Sequence, residues 1–145
     1  MHKALNYMAL ARKAGRIELG EEPVGGAARA LHARLIVVAS DASEHTWRRA
    51  KSFAAGTNQQ CIGVPFTKDE QGQAVGRTSL AMAAFTDPAL ALAFVQALDN
   101  EAKYGDVIQE LQNRTDRIRQ RQSEEKAHQR NKRLGKPHKN AGSNK

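Results

Sequence analysis

Leu35-Ile36-Val37-Val38-Ala39, set between Arg34 and Ser40, is the stretch on which the fold turns. A strand with one wet face alternates apolar and polar residues. An unbroken apolar run of this length, rich in β-branched side chains, marks a strand buried on both faces. Such a strand needs a further layer above and below it, and the flanking sequence supplies helices for both.

Downstream, Ser43 is placed to cap a helix reaching about Phe53. Cys61 to Val64 then form a short buried strand ended by Pro65, and Thr67 can cap a short helix toward Ala74. Leu80 to Phe85 read as a further strand of weak intrinsic propensity, and Asp87-Pro88 opens a core helix through Leu98. Upstream, Leu5, Met8 and Ala9 recur at helical spacing within residues 3–14, and Gly15 stops that helix. Arg16 to Leu19 is a short strand candidate. Gly20-Glu21-Glu22-Pro23 then marks the start of a helix running from Pro23 to about Leu31. Helix and strand alternate, which predicts an α/β fold: a three-layer α/β/α sandwich around a mixed sheet of about four strands, occupying residues 1–99.

Residues 100–145 differ in kind. Ala102 to Ile118 can extend as a charged helix with Val107, Ile108 and Leu111 as a narrow apolar strip, weakened by Gly105. From Gln120 onward apolar residues almost vanish, and a basic disordered tail is expected. The charge follows this division. Of the net +8, residues 1–99 hold 11 basic against 9 acidic side chains, and residues 100–145 hold 12 against 6. Concentrated positive charge favours polyanions, because neutralising phosphates releases condensed counterions. In the tail, Arg117, Arg119, Arg121, Arg130, Lys132 and Arg133 are the candidates for phosphate contacts. Charge alone admits RNA, DNA, an anionic membrane or a solvated tail with no fixed partner.

Several chemistries lack their residues. One cysteine, Cys61, allows no internal disulfide and no zinc site built on cysteines within one chain; in a probable strand it is best read as a small core residue. The histidines have no ligand-like spacing, so no metal is expected. Gly72 and Gly76 are followed by no Walker lysine, no dinucleotide-binding glycine pattern follows a strand, and no nucleophile, base and orienting group stand in a recognisable arrangement. No cofactor and no catalysis are expected. The N-terminus has no uninterrupted hydrophobic segment of the kind that secretion or membrane spanning requires, so a cytoplasmic protein is expected.

Three stretches, taken in order, carry a family likeness: Leu10-Ala-Arg-Lys-Ala-Gly-Arg16 with Gly20-Glu21-Glu22, then Arg34-Leu-Ile-Val-Val-Ala-Ser-Asp41-Ala-Ser43, then Gly72-Gln-Ala-Val-Gly-Arg77 ahead of Thr86-Asp87-Pro88. Together they resemble the ribosomal-protein superfamily that binds kink-turn RNA, and more closely its bacterial YlxQ-like members. The likeness covers nearly all of residues 3–98 and none of the tail. It implies a non-catalytic α/β/α protein that grips ribosomal or other structured RNA, as a monomer able to join a ribonucleoprotein. The grip uses two neighbouring surfaces, the start of the second helix and a loop before the last strand.

In this chain the first surface is Gly20 to Gly26, with Gly20, Glu21, Glu22, Gly26 and Arg29 as candidates. A helix N-terminus offers unpaired N–H groups and partial positive charge to phosphate and base acceptors. At the second surface Arg77, Thr78 and Ser79 can supply charge and hydrogen bonds, with Leu80 as apolar contact. Better-known kink-turn binders carry an Asn near Glu22 and a Lys near Gly26. Here a carboxylate that repels phosphate and a residue with no side chain stand instead. The helix dipole alone also suits Glu21 and Glu22, and Gly25 and Gly26 imply either close backbone approach or a late helix start. Arg48, Arg49 and Lys51, with Trp47, could form an additional phosphate or stacking patch. The rival from another class is a ribosome- or transcription-associated adaptor whose core docks a protein and does not read RNA specifically. Glu22 and Gly26 favour that rival.

Overall fold

The computed structural model describes residues 1–133, with the following elements in chain order. They are α1 (Lys3–Ala14), β1 (Ile17–Leu19), α2 (Glu21–Arg29), β2 (Leu35–Val38), α3 (Glu44–Ala54), β3 (Gln60–Gly63), α4 (Lys68–Ala74), β4 (Met82–Phe85), α5 (Pro88–Ala97) and α6 (Glu101–Arg133). The chain divides into two compact units, one comprising Met1–Gln112 and the other beginning at Asn113.

All four residues of β2 are buried, and they are dealt alternately to two cores. Leu35 and Val37 join the cluster containing Leu5 and Met8 of α1 and Phe94 and Val95 of α5. Ile36 and Val38 join Val24 and Ala28 of α2 and Ala50 of α3. β4 divides in the same way, with Ala83 and Phe85 on the first side and Met82 and Ala84 on the second. Because successive strand residues point to opposite faces, this division is the three-layer sandwich itself. The sheet order is β1-β4-β2-β3, with β2 and β3 parallel and β4 antiparallel to both β1 and β2, so the sheet is mixed.

Local chemistry accounts for the boundaries. α1 ends in a left-handed Gly15 (φ 69°), and the Arg16 N–H returns to the Ala11 carbonyl at 2.8 Å, the long-range bond of a Schellman ending. The Ser43 hydroxyl accepts from the Thr46 N–H, and Thr67 with Glu70 forms a reciprocal capping box on α4. α2 begins at Glu21, two residues earlier than Pro23. A proline is tolerated there because the N–H groups of the first turn have no intrahelical acceptor in any case.

The first unit runs past residue 99. Tyr104 and Leu111 of α6 are buried in the core with α1 and α5, and the Tyr104 hydroxyl donates to the Gly63 carbonyl at 2.7 Å. The expectation of disorder from Gln120 is corrected over 120–133, where α6 stays helical. The segment 119–130 is almost entirely Arg, Gln, Glu, Lys and Ala, the residues that lose least in a helix. The remainder of the expected tail, including Lys136 and Lys139, lies outside the described residues. No helix among the described residues is long and apolar enough to cross a membrane.

Candidate nucleic-acid interface

β1, β2 and β3 all end at the same edge of the sheet, where β4 begins. The Gly20 N–H donates to the Met82 carbonyl and the Ala39 N–H to the Ala81 carbonyl, both at 2.9 Å. This pins the start of α2 beside the loop that leads into β4. Gly20 has φ 96°, a backbone region that glycine enters without strain, and it caps α2 without any side chain. The N–H groups of Glu21 and Glu22 therefore open α2 with no capping side chain in front of them.

The α4–β4 loop is shaped by a second glycine. A Cβ on Gly72 would lie 2.7 Å from the Ser79 nitrogen, 2.8 Å from the Arg77 carbonyl oxygen and 2.9 Å from the Ser79 Cα. Only a residue without a side chain lets the loop fold down on α4. The Arg77 N–H then bonds the Gly72 carbonyl at 2.7 Å, and the buried Gln71 amide holds the Leu80 carbonyl at 2.8 Å. Gly76 turns the chain with φ 77°. Arg77, Thr78 and Ser79 project as exposed side chains, and an Arg77 terminal nitrogen stands 3.9 Å from where a Cβ on Gly20 would be. The two expected surfaces are thus one surface.

Other expected residues fall elsewhere. Leu80, expected as an apolar contact, is only 3 % exposed and belongs to the core between α4 and the sheet, so it supports the loop from beneath. Arg29 is exposed in the last turn of α2, one of its guanidinium nitrogens 3.3 Å from the Cβ position of Gly25. The two glycines of α2 separate. A Cβ on Gly25 would press on the Phe53 ring at 3.0 Å, so this glycine permits the close approach of α2 and α3. Gly26 is exposed, and a Cβ there would meet nothing within 4 Å.

The basic patch of α3 is partly committed. Arg49 Nε donates to Glu21 Oε2 at 3.0 Å while its guanidinium lies over the Phe53 ring, and Arg48 pairs with Glu44 at 3.5 Å. Such solvent-exposed pairs add little stability, but Arg49 offsets the Glu21 charge beside the helix start. Glu22 and Arg77 enter no ion pair among the described residues. At the ends of β2 and β3 an open cleft of about 410 Å³ is lined by Ser40, Glu44, Trp47 and Lys103 among others. Lys51 lies over the Trp47 ring at 5.0 Å.

No protein-family model matches the chain. Over 75 residues it is 33% identical to a curated protein of Enterococcus faecium, "RNA-binding protein YlxQ", an alignment that spans 52% of this chain and 72% of that protein. The chain belongs to the YlxQ family. Its fold is shared with a Bacillus halodurans C protein described as of unknown function, at a TM-score of 0.63 and 22% identity over 68% of this chain and 99% of that one. It is also shared with the Giardia lamblia 15.5kD RNA binding protein, at a TM-score of 0.55 and 15% identity over 66% and 82% of the two chains.

The second unit of this YlxQ-family chain carries the remaining candidates. Arg117, Arg119, Arg121 and Arg130 are exposed on α6, and Lys132 and Arg133 fall in its last turn. The sequence reading missed the Glu21–Arg49 pair and the steric role of Gly72. A glycine within a helix, flanked by good helix formers, was the one available signal for the latter.

Proposed function

We propose that this chain is a non-catalytic RNA-binding protein that grips structured RNA at the joint Gly20–Arg77 surface. The observation that carries this proposal is the apposition of an uncapped helix N-terminus with an exposed loop arginine, 3.9 Å from the Gly20 Cβ position. The α2 N–H groups and Arg77 supply donors for phosphate and base acceptors, Thr78 and Ser79 supply hydroxyls, and Trp47 offers a ring for a base at the neighbouring cleft. The names of the Enterococcus relative and the Giardia structural neighbour, both RNA-binding proteins, point the same way. Residues 1–112 act as the reader and the arginines of α6 as an electrostatic auxiliary. The protein works as a cytoplasmic monomer on ribosomal or other structured RNA.

Cys61 is a poor candidate for a nucleophile. Burial pushes its thiol up to about 11, with Lys51 pulling weakly the other way, so at neutral pH it is the protonated, poorly nucleophilic form.

The test is binding of the full-length protein and Arg77→Ala to a kink-turn RNA and to a matched straight duplex, across a salt series. Preference for the kinked RNA that Arg77→Ala reduces supports the assignment. Equal binding of both RNAs by both proteins, with a steep salt slope, would leave only generic polyanion affinity and sink it.

A further inference from the structure

A second groove runs along the outer side of α2 and is not used by the interface above. Pro23, Gly26 and Ala30 form one wall, Arg16, Arg34 and Thr86 the other, enclosing about 490 Å³. The second wall is built where β1 and β2 begin and β4 ends. The Thr86 N–H donates to the Arg16 carbonyl at 2.9 Å and the Arg34 N–H to the Phe85 carbonyl at 2.8 Å, so the two arginines flank Thr86.

Three features of this groove lack an explanation from packing. Arg34 Nε is buried and has no hydrogen-bond partner, although a buried guanidinium donor is normally satisfied. Neither Arg16 nor Arg34 enters an ion pair among the described residues, and Glu18 is the one acidic residue lining the groove. Gly26 sits in a helix with open space around it and no left-handed φ, so neither a clash nor a turn requires glycine there. What its missing side chain does is leave a bare wall opposite the arginines.

We propose that this groove carries a phosphodiester strand of the bound RNA, with Arg16 and Arg34 holding a phosphate and the bare backbone at Gly26 admitting the chain. The inference rests on the RNA-binding function proposed above. An RNA strand is favoured over a free anion by the course of the groove. It begins at Pro23, next to Glu22 of the first interface, and follows α2 for about 10 Å to Ala30, with its cations at the strand ends. A guanidinium is suited to planar, paired donation to a phosphate, and a small shift of the Arg34 side chain would bring its buried, unpartnered Nε to an acceptor oxygen in the groove.

The experiment compares full-length wild type, Arg16→Gln/Arg34→Gln, Gly26→Glu and Arg77→Ala on one labelled kink-turn RNA across a salt series. The double variant is expected to bind about tenfold more weakly at low salt, with the log affinity against log salt slope reduced by about 1 to 2. Gly26→Glu projects a carboxylate into open space from a helical position and should weaken binding similarly, with an unchanged or higher unfolding midpoint. It keeps the test decisive if the double variant folds poorly. Wild-type affinity in both groove variants, with Arg77→Ala weakened, would overturn the groove and leave the first interface standing. A wild type without RNA affinity would overturn both. Titration with inorganic phosphate separates the remaining source: phosphate binding lost in the double variant while RNA affinity stays intact marks a free-anion site and overturns the proposal.

Discussion

Gly72→Ala adds one methyl group, yet it should be among the most damaging small substitutions in the chain. In an open helix the change would stabilise by up to about 1 kcal/mol. Here the new Cβ falls 2.7–2.9 Å from three backbone atoms of Arg77 and Ser79, which cannot rotate away as a side-chain tip would. The loop must lift from α4. Overpacking costs about 1–3 kcal/mol, and the Arg77 N–H to Gly72 carbonyl and Gln71 amide to Leu80 carbonyl bonds stretch or break at about 1 kcal/mol each. After the helix gain is subtracted, a net loss of about 2–4 kcal/mol remains, a fall of roughly 1–2 M in the urea midpoint for a slope of about 2 kcal/mol/M. Urea unfolding followed by far-UV circular dichroism measures it. Because the lifted loop carries Arg77 away from Gly20, RNA affinity should also fall under conditions where the variant is still folded. An unchanged or raised midpoint would refute the steric account, and a lowered midpoint with unaltered RNA affinity would refute the link from loop position to binding.

Three further outcomes are expected. Gln59 is buried and bridges α2 to the start of β2, its side-chain oxygen accepting from the Ala33 N–H at 2.9 Å and its amide donating to the Ala28 carbonyl at 3.1 Å. Gln59→Ala leaves the Ala33 N–H unpaired, while the Ala28 carbonyl keeps the Leu31 N–H as a partner, and should destabilise by about 1–3 kcal/mol in chemical denaturation, without altering the salt slope of RNA binding. Cys61, its thiol raised to about 11, should react with iodoacetamide at pH 8 on the order of 100-fold more slowly than an ordinary cysteine, because so little is thiolate. The folded state holds this proton more tightly than the unfolded state, so the contribution of Cys61 to stability is present below pH 9 and is lost as pH rises toward 11; rapid alkylation at pH 8 would contradict this burial. Replacing Arg117, Arg119 and Arg121 by Gln should weaken kinked and straight RNA equally and lower the salt slope by about 2–3, whereas a selective effect on kinked RNA would make these residues readers.

Much of the fold was legible because β2 could be read from composition alone. A fully apolar run forces two covering layers, and the capping residues Ser43, Thr67 and Asp87 then place helices to within a few residues. The early start of α2 was not legible, since Pro23 is compatible with either of two positions in a first turn. Nor was the length of α6, because a polar, highly charged segment satisfies helix propensity and disorder composition at once. At the candidate site, the family resemblance, and not any local pattern, pointed to the start of α2 and the loop at Arg77. Their adjacency depends on β1 and β4 pairing antiparallel, which no local pattern encodes. Leu80 was misplaced for a related reason. Leu80 stands both at the start of the expected strand and beside exposed Thr78 and Ser79, and nothing local decides which way its side chain faces; the fold turns it into the core.

The acidic start of α2 is the feature that a simple phosphate clamp cannot explain. Glu22 is exposed at the helix N-terminus, where its charge is favoured by the dipole but opposes a phosphate at the same N–H groups. A carboxylate has acceptors only, and the donors that RNA can offer it are base amino and imino groups and 2′-hydroxyls. Glu22 therefore suits an unstacked base edge better than the backbone. Glu21, offset by Arg49, adds less repulsion than its formal charge implies. On the proposed function, phosphate recognition falls to groups outside the α2 start: Arg77 on the loop, Arg16 and Arg34 in the groove, and the arginines of α6. Such a division assigns base readout to the acidic start of α2 and most of the counterion release to arginines elsewhere in the chain. It follows that substitutions at Glu22 should change which RNA is preferred more than how binding responds to salt, while substitutions at the arginines should do the reverse.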